Sequence, residues 1–241
     1  MNLSVELFQE LFGWIGTVIT VLSFLLPIFP YIKVLRGKLD FESTPAFLVT
    51  IYYVNYLCWY IYGDMIVSDQ IQYCYFIGSI VNFVLMAIYL IYEVRRYLVD
   101  TILNTLILIT GTWALYKTPI FLINNPRTFG ILCIGTSFIV FISQIQIIYK
   151  VIKEKNYILI PIYNCYFIFL YSICWLVYGI CLICFIIIVP NAIAILLAFV
   201  EIIIYWYYKR KYSAIGERLF SPIIGIEDTS TEKDSKKEEA P

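Results

Sequence analysis

Long apolar runs separated by short basic turns dominate this chain, and the lengths of the runs set the first expectation. A helix needs about 20 residues to cross a hydrocarbon core. Read that way, spans are expected near 11–34, 45–63, 70–92, 101–122, 129–152, 158–180 and 184–208. The first run is too long, and has too many companions, for a removable leader. The pattern changes after residue 212: Ser, Thr, Glu, Lys and Pro dominate 213–241, which are expected to form a disordered cytosolic tail. The fold class expected is therefore an all-α integral membrane protein with seven transmembrane helices.

Charge orients the spans. Lys33, Arg36 and Lys38 follow the first, Arg95 and Arg96 the third, Lys150, Lys153 and Lys155 the fifth, and Lys209, Arg210 and Lys211 the seventh. The opposite loops offer Lys117 and Arg127, with Asp64 and Asp69 after span two. Eleven basic residues against two place the N-terminus outside, or in a lumen, and the C-terminus in the cytosol. With no internal targeting signal legible, the plasma membrane is the expected destination.

Composition narrows the chemistry. Charged residues make up 14% of the 241, against about 25% in soluble domains, so the chain lacks the polar surface to coat itself in water. The net charge is zero with no basic stripe, which speaks against nucleic acid. Histidine, the usual proton relay and commonest metal ligand, is absent. Seven cysteines sit mostly inside apolar runs and read as small buried hydrophobes. Cys181 and Cys184 have metal or redox spacing but no second pair, so no metal and no cofactor is expected. No nucleophile–base pair or phosphate loop points to an enzyme.

The most informative pattern is an echo. Cys58-Trp59-Tyr60-Ile61-Tyr62-Gly63 returns as Cys174-Trp175-Leu176-Val177-Tyr178-Gly179, 116 positions later. At that offset Pro45 lies over Pro161, Phe83 and Val84 over Phe199 and Val200, and Tyr89 over Tyr205. Upstream, the basic stretch 33–38 lies over 150–155 at an offset of 117, an insertion of the kind loops absorb. Such self-similarity marks a structural unit used twice. The unit is three spans. Copied directly it would emerge upside down, and one extra crossing restores its orientation. The expected organisation is a first three-helix repeat (1–96), a linker helix (97–127), a second repeat (128–212) and the tail (213–241), a 3+1+3 layout with a cavity between parallel copies.

This layout and these motifs resemble the SWEET sugar transporters, the MtN3/saliva family. The likeness spans residues 12–210. It is clearest in the second copy: Lys153, Glu154 and Lys155, then Pro161, then Trp175, Tyr178 and Gly179, then Pro190 and Asn191. The resemblance implies facilitated, bidirectional diffusion of mono- or disaccharides by alternating access, without ATP. Its partners would be a sugar, the lipid bilayer and possible further copies of the chain in a homo-oligomer.

A sugar site needs an aromatic plate and hydrogen-bonding amides. By the resemblance, Trp59 and Trp175 are the plates, facing each other across the axis to sandwich a ring, and Asn191 is a sugar ligand. The equivalent first-copy position is Tyr75, a departure from the family, with Asn82 two turns on as the other substitute. Pro27, Pro45 and Pro161 match three of four family hinge prolines, and the fourth slot holds Gln144. A proline hinge works by interrupting helical hydrogen bonding. Asn55, Tyr171, Ser23 and Val140 form the layer one turn away, where bulky Tyr171 favours a hexose. Tyr62, Gly63, Tyr178 and Gly179 end spans two and six as an outer gate, the glycines alternatively being helix caps. Glu201 is an intramembrane acid, either a proton-coupling group or a protonated packing partner. Two other readings compete: a PQ-loop-type proton-coupled amino-acid exporter, against which the Pro-Gln dipeptide is absent, and a seven-span receptor, against which the repeat argues.

Overall fold

The computed structural model describes residues 3–36, 46–93, 102, 106 and 125–224. Every regular element among them is helical. In order these are α1 (Leu3–Leu25), α2 (Ile28–Leu35), α3 (Ala46–Met65), α4 (Asp69–Glu93), α5 (Pro126–Glu154), a 3-10 turn (Tyr157–Leu159), α6 (Ile162–Cys181) and α7 (Phe185–Ile224). Five spans are long and apolar enough to cross a bilayer: Ser4–Leu25, Asp69–Ile88, Pro126–Glu154, Ile162–Cys181 and Phe185–Tyr212. The chain is a multi-pass integral membrane protein. α3 is not among the five, because five tyrosines, Asn55 and Asp64 lower its hydropathy. Pro45 and the expected fourth span at 101–122 lie outside the described residues, apart from helical positions 102 and 106.

Two boundaries differ from expectation. The single span expected at 11–34 is broken into α1 and α2 at Leu26 and Pro27. Pro27 has no N–H to continue the ladder. The N–H of Leu26 turns instead to the Ser23 carbonyl at 3.2 Å, tightening the last turn of α1. Gln144, 117 residues later, lies inside an unbroken α5, so the two copies differ in backbone as well as sequence. At the other end, α7 continues to Ile224, past the tail boundary expected after 212. Ala214, Glu217, Arg218 and Leu219 are good helix formers, so the helix outlasts the apolar run.

The helices close a ring. α1 packs on α4, α4 on α3, α3 on α5, α5 on α7, α7 on α6, and α6 back on α1. The repeat offset exchanges α1 with α5, α3 with α6 and α4 with α7, and the ring then maps onto itself. This is the neighbour pattern of a two-fold axis through its centre. One core crosses both seams, joining Trp59, Tyr62, Phe129 and Cys133 to Trp175, Tyr178 and Ile187.

The turns at one end, here the upper end, obey the same relation. After α3, the N–H of Ser68 reaches the Gly63 carbonyl at 2.9 Å and that of Val67 reaches the Asp64 carbonyl at 3.2 Å. After α6, Cys184 reaches Gly179 at 2.9 Å and Ile183 reaches Ile180 at 3.0 Å. Both are Schellman caps, and the left-handed residue each requires is Val67 (φ 54°) or Ile183 (φ 52°). Gly63 and Gly179 are therefore not the caps. They are the places where the next helix comes close: a Cβ on Gly63 would lie 2.8 Å from the Gln72 backbone nitrogen, and one on Gly179 would lie 3.1 Å from Ile187.

β-Branched residues are poorly suited to left-handed backbone, whereas Asn tolerates it. Val67→Asn and Ile183→Asn are each expected to raise stability by about 1 kcal/mol. Gly63→Ala is expected to cost roughly 1–3 kcal/mol through overpacking, while Gly135→Ala, inside α5 with no atom near its Cβ, is expected to raise stability by about 0.5–1 kcal/mol. Thermal unfolding in detergent, followed by tryptophan fluorescence, measures all four.

Candidate functional site

The echoed tryptophans sit on the seams. Trp59 of α3 points into α5, where its Nε1–H donates to Ser137 Oγ at 3.1 Å. That hydroxyl donates in turn to the Cys133 carbonyl at 2.9 Å. Trp175 of α6 points into α1, donating to Thr20 Oγ1 at 3.0 Å, and Thr20 donates to the Gly16 carbonyl at 2.7 Å. Thr20 and Ser137 are 117 apart, as are Gly16 and Cys133, so the two chains of hydrogen bonds are equivalents. A buried indole N–H needs such a partner. Both indoles are buried in one core, no ring contact joins them among the described residues, and each N–H edge points into the opposite half's first helix. Asn55 reinforces one seam alone, its amide donating to Thr136 at 2.9 Å and to Ser137 at 3.0 Å.

A second reciprocal pair closes the upper end. Tyr62 bonds Cys184 (Oη to Sγ 3.3 Å), and Tyr178 bonds Ser68 (Oη to Oγ 2.7 Å). Each tyrosine reaches the Schellman turn of the other half, at positions again 116 apart. Each also packs edge-on against its own tryptophan, Tyr62 on Trp59 at 5.7 Å and Tyr178 on Trp175 at 5.4 Å. Above them lies a cleft of about 430 Å³ lined by both tyrosines, Ser68, Gln70 and Cys184. Gln70 joins the latch, its Oε1 3.4 Å from the Tyr178 hydroxyl, and its carbonyl accepts from Thr17 Oγ1 at 3.0 Å. Thr20, Ser137 and Ser68 were not singled out from sequence, and Cys184 only for a spacing that led to no chemistry. Their signal is a pair of small polar side chains at the repeat offset, which an apolar background makes easy to overlook.

The remaining expected residues divide unevenly. Tyr75 stacks on Trp59 at 5.8 Å and 22°, and Tyr56 tilts against Tyr75 at 6.0 Å. Tyr171 joins them as a half-buried ring on the same core. Asn191 and Asn82 are half-buried, each giving one N–H to its own helix, at Ile187 (2.7 Å) and Gly78 (3.1 Å). Ser23 bonds the Thr20 carbonyl at 2.6 Å, and Val140 is half-buried in α5 with its carbonyl accepting from Ser143 at 2.6 Å. Gln144 is buried with no partner for its Oε1 among the described residues, and Ser172 likewise for its Oγ. Pro27 is exposed in the α1–α2 break, and Pro161 caps α6. Glu201 is buried in α7, with the Cys165 thiol 3.2 Å from its Oε2. Among the described residues no cluster of ligating side chains is able to hold a metal.

One protein-family model, described as a sugar efflux transporter for intercellular exchange, matches this chain twice, at residues 10–97 and 127–213. The chain belongs to the MtN3/saliva family. The two matches start 117 residues apart, which is the offset of the seam acceptors Thr20 and Ser137. Among relatives, the bidirectional sugar transporter SWEET7b of Oryza sativa subsp. japonica is 25% identical over 86% of this chain and 80% of its own length. Bidirectional sugar transporter SWEET10 of Arabidopsis thaliana is 24% identical over 95% of this chain and 80% of its own. A solved structure of a eukaryotic SWEET transporter superposes with a TM-score of 0.76 at 19% identity, covering 86% of this chain and 99% of that one. The fold is thus shared with an MtN3/saliva relative. Members of this family are transporters, not enzymes.

The seams are unequal in one testable respect. Ser137→Ala strands two donors, the Trp59 indole and one Asn55 N–H, and is expected to cost roughly 1–3 kcal/mol. Thr20→Ala strands one indole N–H, that of Trp175, and is expected to cost less. Equilibrium unfolding of both variants in detergent ranks them.

Proposed function

We propose that this chain is a facilitative, bidirectional uniporter that moves mono- or disaccharides, with hexoses favoured, across a membrane by alternating access. The observation that carries the reading is the double match to a sugar efflux family, on two halves whose helices exchange about one axis. A 3+1+3 arrangement of seven helices, with the linker at 97–127, accounts for two equivalent halves in one orientation. The basic loops put the N-terminus outside and the C-terminus in the cytosol, with the plasma membrane as destination.

In this reading the substrate occupies the ring's centre, with Trp59, Trp175, Tyr75, Tyr171 and Asn191 around it. Asn191 has an amide oxygen and a second N–H beyond its bond to Ile187. The upper latch is then the outer gate, closed in this conformation, and Pro27 and Pro161 are hinges. Opening the gate breaks the two side-chain hydrogen bonds to the Schellman turns, each worth about 1 kcal/mol, and the longer Tyr178–Gln70 contact. That suits a step thermal motion must repeat in every cycle.

Radiolabelled glucose is expected to equilibrate across proteoliposomes containing the protein, with or without a pH gradient. Flux that requires a proton gradient would sink the uniporter reading and favour an exporter coupled through Glu201. Trp175→Ala and Asn191→Ala are expected to lower glucose counterflow about tenfold or more while leaving folded protein in the membrane; wild-type flux in both removes those residues from the site. Tyr178→Phe is expected to speed labelling of Cys184 by an impermeant maleimide added outside, as one half of the latch is lost.

A further inference from the structure

We propose that Tyr75 limits the substrate of this transporter to a single sugar ring. The inference rests on the sugar-transport reading and concerns what the two-fold relation fails to match. Position 75 in α4 and position 191 in α7 are equivalents at the 116 offset, one a tyrosine and the other an asparagine. Both are half-buried, on helices that exchange about the central axis.

The phenol of Tyr75 lies nearly parallel to the Trp59 indole, 5.8 Å between centroids and 22° between planes. The chain's own ring therefore covers that face of the indole, where a sugar's CH face would otherwise stack. Trp175, though buried as deeply, carries no stacked ring. Its one ring contact among the described residues is the edge of Tyr178 at 5.4 Å.

Tyr75 is also held from behind. Tyr56 tilts against it at 6.0 Å and 37°, and Phe24 packs on Tyr56 at 4.7 Å. A Cβ on Gly78, one turn from Tyr75, would lie 2.5 Å from Phe24, so this wall has no slack behind it. Close-packed aromatics of this kind do not swing aside cheaply. A phenol and a pyranose are both six-membered rings of similar breadth. Tyr75 thus takes up the place of a second sugar unit, on the first-repeat side of the axis.

What remains suits one ring. No hydrogen bond joins the hydroxyls of Tyr56, Tyr75 or Tyr171 to another described residue, and all three rings pack on one core. Each hydroxyl rotates and both donates and accepts. Together with the free amide atoms of Asn191 they match the several hydroxyls of a monosaccharide.

The test is counterflow of labelled glucose and labelled sucrose in proteoliposomes of wild type, Tyr75→Asn and Tyr75→Phe. Tyr75→Asn copies the second half's residue into the first. Wild type is expected to carry glucose and to carry sucrose at least ~10-fold more slowly, a discrimination of the size that pocket fit supplies. Tyr75→Asn is expected to raise sucrose flux ~10-fold while still moving glucose, and Tyr75→Phe, which keeps the ring, to gain none. Sucrose moving as fast as glucose in wild type overturns the proposal and leaves the transporter reading standing. So does a Tyr75→Asn protein that moves glucose and gains no sucrose. Wild-type vesicles that move no sugar overturn both. If Tyr75→Asn does not fold, competition on the wild type decides. Excess sucrose is expected to leave glucose counterflow unchanged, and inhibition overturns the proposal.

Discussion

The structure turns on a hydrogen bond made twice: an indole N–H from one half donated to a hydroxyl on the first helix of the other. A buried indole has one donor and no other way to satisfy it, and in an apolar protein few acceptors are on offer. Ser137 and Thr20 are those acceptors because each stands where the partner's tryptophan arrives. Each also returns its own proton to a carbonyl of its helix, so no polar atom in the relay is stranded. Two unlike surfaces would need two solutions. Two copies of one surface need a single solution, used reciprocally.

The upper end applies the same economy to a contact that must break. Schellman turns hold Ser68 and Cys184 rigidly at the ends of α3 and α6, within reach of the opposite tyrosine. Glycines at 63 and 179 let the following helices lie close, which fixes where those turns point. The Ser68 oxygen stands at 2.7 Å on one side and the Cys184 sulfur at 3.3 Å on the other. The latch is therefore symmetric in position and unequal in strength, since a thiol is a weak partner. Glycine gives close approach, the turn gives direction, and the side chain tunes the bond.

Asymmetry collects toward the centre and the lower half. Asn55 bonds across its seam, whereas Tyr171 at the equivalent position is one of the central rings. Tyr75 stands against Asn191, and the helix break at Pro27 against an unbroken α5 at Gln144. Glu201 has no acidic counterpart in the first half, where Leu85 occupies the equivalent position. The framework tolerates such drift because the reciprocal indole and tyrosine hydrogen bonds of the seam and the latch are made by other residues. A single chain carrying both halves is free to make them different.

Hydrophobic run lengths and the 116-residue echo determined, without any structure, that the chain crosses a membrane repeatedly and holds one unit twice, because both signals are periodic and survive in composition alone. The echoed Trp, Tyr and Gly positions were legible for the same reason, and Pro27 was legible as an interruption of the hydrogen-bond ladder, though not as the end of a helix, since a missing N–H is a property of the residue itself. Their partners were not. That the Trp59 N–H reaches Ser137 depends on how α3 rotates against α5, and rotation about a helix axis leaves no trace in an apolar sequence whose helices are greasy all round. The glycines read equally well as caps or as contact points until the next helix was seen 2.8 Å from a missing Cβ. Tyr75 was visible as a departure; that it lies flat on Trp59 was decided only by the packing of α4 against α3, because stacking is a relation between two helices and belongs to neither sequence segment.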